Sequence, residues 1–159
     1  MANEQSLRDQ LAQFLDWGNA HAKFEDVVKG FPRELRGKRP AGSPHSAWEL
    51  LEHLRIAVWD ILEFARNPKH ESPKFPDGYW PSSEAPPSDA AWDASVAEYQ
   101  RWLNEFAALA RDESVDLGAR IAHGNGQTVL REILLAADHN AYHLGQLMLV
   151  RRLLGAWES

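Results

Sequence analysis

Four long stretches of the chain repeat apolar residues at three- and four-residue steps, and none alternates them convincingly with polar ones, so helices must supply the core. The first runs from about Glu4 to Lys29, with Leu7, Leu11, Phe14, Leu15, Gly18, Ala22 and Val28 on its pattern. It stops at Gly30-Phe31-Pro32, a glycine end followed by proline. The second opens at Ser46, where Ser46 and Glu49 spell an S-x-x-E capping box, and ends before Asn67-Pro68. The third starts near Ser88-Asp89 and carries Trp92, Val96, Tyr99, Leu103, Phe106 and Leu109. The fourth opens after Gly124-Asn125-Gly126, continues to about Trp157 and is the most apolar. Asp116 to His123 is a weak strand candidate. Four amphipathic helices of comparable length predict an all-α four-helix bundle, a single domain over residues 1–159 with long connecting loops.

Composition narrows the function. At 159 residues, with 44% apolar and 25% charged, the chain can bury a sizeable core and is not of disordered type. Seventeen Lys and Arg against 23 Asp and Glu leave a formal charge of −6 with no basic run, which argues against nucleic-acid or anionic-membrane partners. Cysteine is absent, so disulfides, thiolate metal sites and a protein thiol nucleophile are excluded. The start Met-Ala-Asn-Glu-Gln has neither a basic nor an apolar leader region, and no run of apolar residues is long enough to span a bilayer. A cytoplasmic protein is expected.

The seven histidines carry the chemistry. His139 and His143 form H-x-x-x-H on the fourth helix, so both imidazoles project from one face about one turn apart. His53 lies on the second helix in the stripe Leu50, His53, Ala57, Phe64, which faces inward if the leucines do. Three inward histidines on two helices can present three nitrogens to one face of a divalent ion and leave positions open, as in catalytic sites. Against this stands the plain alternative that each is an ordinary core or surface residue. His21 falls on the stripe Phe14, Trp17, His21, Phe24, Val28 and is either a pocket wall or a hydrogen-bonded core residue. His123 precedes the fourth helix and could stand at a pocket mouth, whereas His45 and His70 read most simply as solvated. The proline-rich loop from Asn67 to Pro87 holds Phe75, Tyr79 and Trp80, and reads either as a lid or pocket wall or as a cap on one end of the core.

Missing motifs narrow the site further. There is no H-E-x-x-H, no E-x-x-H pair at these histidines, no G-x-S-x-G elbow and no phosphate-binding glycine loop. Any chemistry would rest on an activated water or a substrate group at one metal. Asp138, Asn140 and Glu49 are near enough in sequence to accept an outer ring N–H, while Glu52 is expected to face solvent.

With these residues in place, the sequence resembles the DinB-like superfamily of metal-binding helical bundles. The likeness is carried by PHSAWELLEHL at 44–54, ADHNAYHLGQ at 137–146 and the loop FPDGYWP at 75–81, and it spans nearly the whole chain. It implies an up-down-down-up bundle with a nickel or zinc ion on three histidines, which map to His53, His139 and His143. Relatives of this kind include S-transferases using bacillithiol, a mycothiol-dependent isomerase and many members described as hydrolases. The resemblance therefore implies a metal-dependent enzyme acting on a small molecule, either an S-transferase using an external low-molecular-weight thiol or a hydrolase. A non-catalytic metal- or ligand-binding module is the alternative. Trp17, Trp59, Trp92 and Trp102 are more aromatics than one core takes, and a homodimer is expected to bury some of them.

Overall fold

The computed structural model describes residues 2–157 of the chain. Its helices are α1 (Ala2–Phe14), α2 (Phe24–Val28), α3 (Ala47–Arg66), α4 (Asp89–Arg111) and α5 (Val129–Leu153), with no strand among the described residues. The weak strand candidate forms only an isolated bridge, Arg120 to Thr128. Among the described residues no helix is long and apolar enough to cross a membrane.

Local sequence sets three of these starts. Ser46 and Glu49 close the expected capping box: Ser46 Oγ accepts from the Glu49 amide at 3.2 Å, and the Ser46 amide donates to Glu49 Oε2 at 2.8 Å. Ser88 caps α4 through the Ala91 amide, and Thr128 caps α5 through the Arg131 amide. At the other end of α4, the buried Arg8 of α1 donates to the carbonyls of Ala110, Asp112 and Val115, groups that a helix end leaves without partners.

Paired contacts give the helix directions. Glu52 meets Ser95, Arg55 meets Glu98 and Arg66 meets Glu105, so α3 and α4 run parallel. His53 meets His139 and His143 while Phe64, further along α3, meets His123 before α5 starts, so α3 and α5 are antiparallel. Arg8 reaches Ala110, and Phe24 beyond the end of α1 packs on Tyr99, so α1 opposes α4. The bundle is up-down-down-up. Leu50, Leu51, Leu54, Val58 and Leu62 of α3 are buried against Trp92, Tyr99 and Phe106 of α4 and Ile133 and Leu147 of α5. Each such leucine contributes about 1.5–3 kcal/mol by leaving water, so packing outweighs intrinsic propensity in holding α3.

Two expected spans are corrected. The first helix does not continue from Glu4 to Lys29 but stops at Phe14 and resumes only as the short α2. Between them the chain leaves the helix through a turn at Leu15 and Asp16 and bends at residues 19–21, and at Gly18 the Lys23 side chain occupies the space that a Cβ would need. The fourth segment ends at Leu153 rather than near Trp157, because Gly155 takes a positive φ of 70° and turns the chain out of the helix.

Candidate metal centre

The centre is built where α3 and α5 face each other. The capping box fixes where α3 begins, and His53 follows two turns later on the buried stripe with Leu50 and Ala57. The one-turn spacing of His139 and His143 then puts both rings of α5 opposite it. His53 Nε2 stands 3.0 Å from His139 Nε2 and 3.2 Å from His143 Nε2, and one nitrogen from each ring lies within 4.8 Å of the others. Two nitrogens on one ion at about 2.1 Å, in a tetrahedral or octahedral set, lie about 3.0–3.4 Å apart. The three histidines could therefore hold a metal ion, and among the described residues no Asp or Glu joins them.

The outer ring nitrogens define which nitrogen is free to bind. His53 Nδ1 lies 2.9 Å from the Tyr79 carbonyl and His143 Nδ1 lies 2.9 Å from Gln146 Oε1. Both partners are acceptors, so each Nδ1 carries the proton and each Nε2 turns a lone pair inward. Two acceptor nitrogens 3.2 Å apart cannot bond each other, and a cation shared between them would satisfy both. Burial depresses all three imidazoles: His139 is pushed down to about 3 by burial and then by His143 and His53, and His143 to about 4 by burial and then by His53. His53 is lowered by burial and partly restored by its bond to Tyr79. All three are neutral near pH 7, the form that binds a metal. His139 Nδ1 is buried without a hydrogen bond of ordinary geometry, as is the Asn140 amide beside it.

The loop from 67 to 87 walls the site. Trp80 stacks on His53 with ring centres 4.0 Å apart and planes within 3°, and its ring also stacks with His45 at 3.9 Å. Neither His45 nor His70 is solvated as expected. His45 has a buried Nδ1 with no partner, and its proximity lowers the pKa of both His53 and His143. The His70 side chain is 6% exposed and donates from Nε2 to Asp60 Oδ1 at 2.7 Å, because the loop folds back along α3 and covers it.

His21 and His123 take no part in the centre. With the first helix ended at Phe14, the stripe through His21 has no continuous face; the ring is exposed, with Nδ1 2.9 Å from the Ala22 carbonyl. His123 is exposed and bonds the Phe64 carbonyl. The ring acceptors are also not those nearest in sequence. Glu49 is committed to Arg39 and the Ser46 cap, which outweigh the upward push of burial and leave its pKa lowered. Asp138 is exposed. Glu52, expected in solvent, is buried and accepts from Ser95 Oγ at 2.5 Å and from Arg55 at 2.8 Å. Sequence reasoning missed Gln146 and Tyr79. Gln146 had a signal, three residues beyond His143 on the same face, but a main-chain acceptor such as the Tyr79 carbonyl leaves none.

An apolar cavity of about 250 Å³ adjoins the outer side of the centre, walled by Pro44, His45, Leu50, Leu149 and Leu153, with Gln146 shared between cavity and histidines.

A four-helix up-down-down-up bundle with three inward histidines from α3 and α5 defines the class as a helical bundle with a candidate metal centre. The chain belongs to the DinB superfamily, which it matches over residues 17–147. No curated protein and no solved structure gives a significant match.

Proposed function

We propose that the protein is a metal-dependent enzyme that holds one divalent ion, nickel or zinc, on His53, His139 and His143 and acts on a small molecule. The observation that carries this reading is the convergence of three neutral imidazoles within 4.8 Å. An ion so bound lowers the pKa of a water or thiol beside it and supplies a nucleophile near neutral pH. The Tyr79 carbonyl and Gln146 keep the Nδ1 protons outward, and Trp80 shields the His53 face from water. The apolar cavity beside Gln146 suits the apolar part of an acceptor.

S-transfer is the leading chemistry, from the family's known thiol enzymes. The chain has no cysteine, so the thiol comes from outside. Its S–H proton passes to solvent, a sulfur lone pair forms the bond to the acceptor's electrophilic atom as the bond from that atom to the leaving group breaks, and the leaving group departs with that electron pair. In hydrolysis the water oxygen takes that part. A second reading, a non-catalytic metal- or ligand-binding module, is favoured by the histidine group holding no carboxylate among the described residues. One assay of the metal-loaded protein separates them, run with and without a low-molecular-weight thiol on wild type and His143→Ala. Turnover that needs thiol and is lost in the variant supports S-transfer; thiol-independent turnover lost in the variant supports hydrolysis; no turnover with metal present supports the binding module.

We include self-association in this proposal, on altered grounds. Of the four tryptophans, Trp92 is buried, Trp102 is covered by Arg101 and Trp59 packs on His70, so that only Trp17 stays exposed, whereas Leu135, Tyr142, Leu149 and Leu153 of α5 are exposed. Light scattering that shows a monomer at tens of micromolar contradicts it.

A further inference from the structure

Asp60 is a buried carboxylate on the inward face of α3, two turns beyond His53. Burying such a group is costly unless its oxygens find donors, and both donors here come from one loop. Oδ1 accepts from His70 Nε2 at 2.7 Å, and Oδ2 accepts from the Tyr79 hydroxyl at 2.6 Å. The loop is thus pinned to α3 at both ends of residues 70–79. Burial, and then Asp60, raise the Tyr79 phenol well above its ordinary value, so it stays protonated and donates. The same Tyr79 offers its main-chain carbonyl to His53 Nδ1 at 2.9 Å, and the next residue, Trp80, lies flat on the His53 ring.

We propose that Asp60 is the positioning residue of the histidine centre: through the Tyr79 hydroxyl it sets the Tyr79 carbonyl, which fixes the tautomer and rotation of His53. Asp60 acts at two removes and touches neither the three histidines' inward nitrogens nor any bound group. The effect on metal affinity rests on the metal reading above; the effect on the His53 ring does not.

The test uses two readouts on the full chain. Metal-free protein carrying 15N-histidine reports the His53 tautomer by its ring nitrogen shifts, and Zn2+ competition against a chelator reports affinity. Both are measured for wild type, Asp60→Ala, Tyr79→Phe and the double variant. Tyr79→Phe is the mild probe, since it removes one hydroxyl and keeps the ring and the carbonyl. Wild type is expected to show His53 as the single Nδ1–H tautomer, and each variant a mixture. The Kd for Zn2+ is expected to rise about tenfold or more in each single variant, the scale seen when an outer partner of a metal-binding histidine is lost. The double variant is expected to stay within about twofold of the weaker single one, because both changes cut the same link. An unchanged His53 tautomer with unchanged Kd in a variant that melts lower overturns the proposal and leaves Asp60 a purely structural anchor. Effects that add overturn it too. Wild type that binds no Zn2+, while His53 still becomes a tautomer mixture in the variants, supports the positioning role and contradicts the metal reading alone.

Discussion

The ring of His53 is fixed by the Tyr79 carbonyl at its Nδ1 and by Trp80 across its face, whereas His139 has only the Asn140 amide beside it, without ordinary hydrogen-bond geometry, and among the described residues no stacked indole. His143 stands between them, with Gln146 of its own helix at Nδ1 and the exposed Tyr142 edge-on at 4.8 Å. The α3 side of the centre is therefore held by a loop distant in sequence, and the α5 side by helical spacing and burial. That difference separates what a local change can do on each side. On α5 the backbone geometry itself sets the separation of the two rings. On α3 the ring depends on whether the loop is seated.

The largest expected difference comes from removing the outer support on each side in turn. Trp80→Ala strips the stack from His53 and is expected to weaken Zn2+ binding by about a hundredfold, while Gln146→Leu, which removes only the His143 acceptor, is expected to cost about tenfold. Chelator competition on the two purified variants decides it. An equal or larger loss in the Gln146 variant breaks the comparison.

Proton linkage sharpens it next. In metal-free protein the folded-state values of His139 and His143, about 3 and about 4, lie below the roughly 6.5 of an unfolded chain. Between those limits the unfolded state binds more protons, so stability from keeping these rings neutral is present above about pH 6.5 and is lost as pH falls toward the folded values. Melting temperature is expected to drop between about pH 7.5 and about pH 4.5, and His139→Ala is expected to flatten that drop. His53→Ala is expected to flatten it less, since the bond to Tyr79 offsets part of the burial effect on His53. A slope unaffected by His139→Ala contradicts the depressed value.

The smallest effect concerns where α3 begins. Ser46→Ala removes the hydroxyl half of the capping box and is expected to lower stability by about 1 kcal/mol while Zn2+ affinity stays within about twofold. Denaturant unfolding and the same metal competition check it. A large affinity loss would show that the cap, and not the loop, sets His53.

These asymmetries also explain what was legible in the sequence. The capping box at Ser46, the stripe through Leu50 and His53, and the H-x-x-x-H pair are local patterns; spacing put His139 and His143 on one face, the resemblance added His53, and the structure brings the three together. The bundle's connectivity followed from the resemblance and is confirmed by the paired contacts along α3, α4 and α5. The loop side was legible only as an aromatic segment fit to wall a pocket, and its individual partners were not. His45 and His70 look like solvent residues until the chain folds back on α3, and the acceptor for His53 is a main-chain carbonyl whose residue type carries no information. Asp60 did leave a trace, an acidic residue on the inward stripe of His53, Ala57 and Phe64. The overlong first helix failed for a similar reason: helical periodicity continues through Gly18, but the chain leaves the helix at the turn of Leu15 and Asp16.

Elemental analysis after dialysis tests the central claim most directly. Wild type loaded with Zn2+ or Ni2+ near neutral pH is expected to retain one ion per chain, and His53→Ala, His139→Ala and His143→Ala are each expected to retain none at stoichiometric level. Folded wild type that retains no ion, or full retention in any one of the three variants, contradicts a three-histidine metal centre.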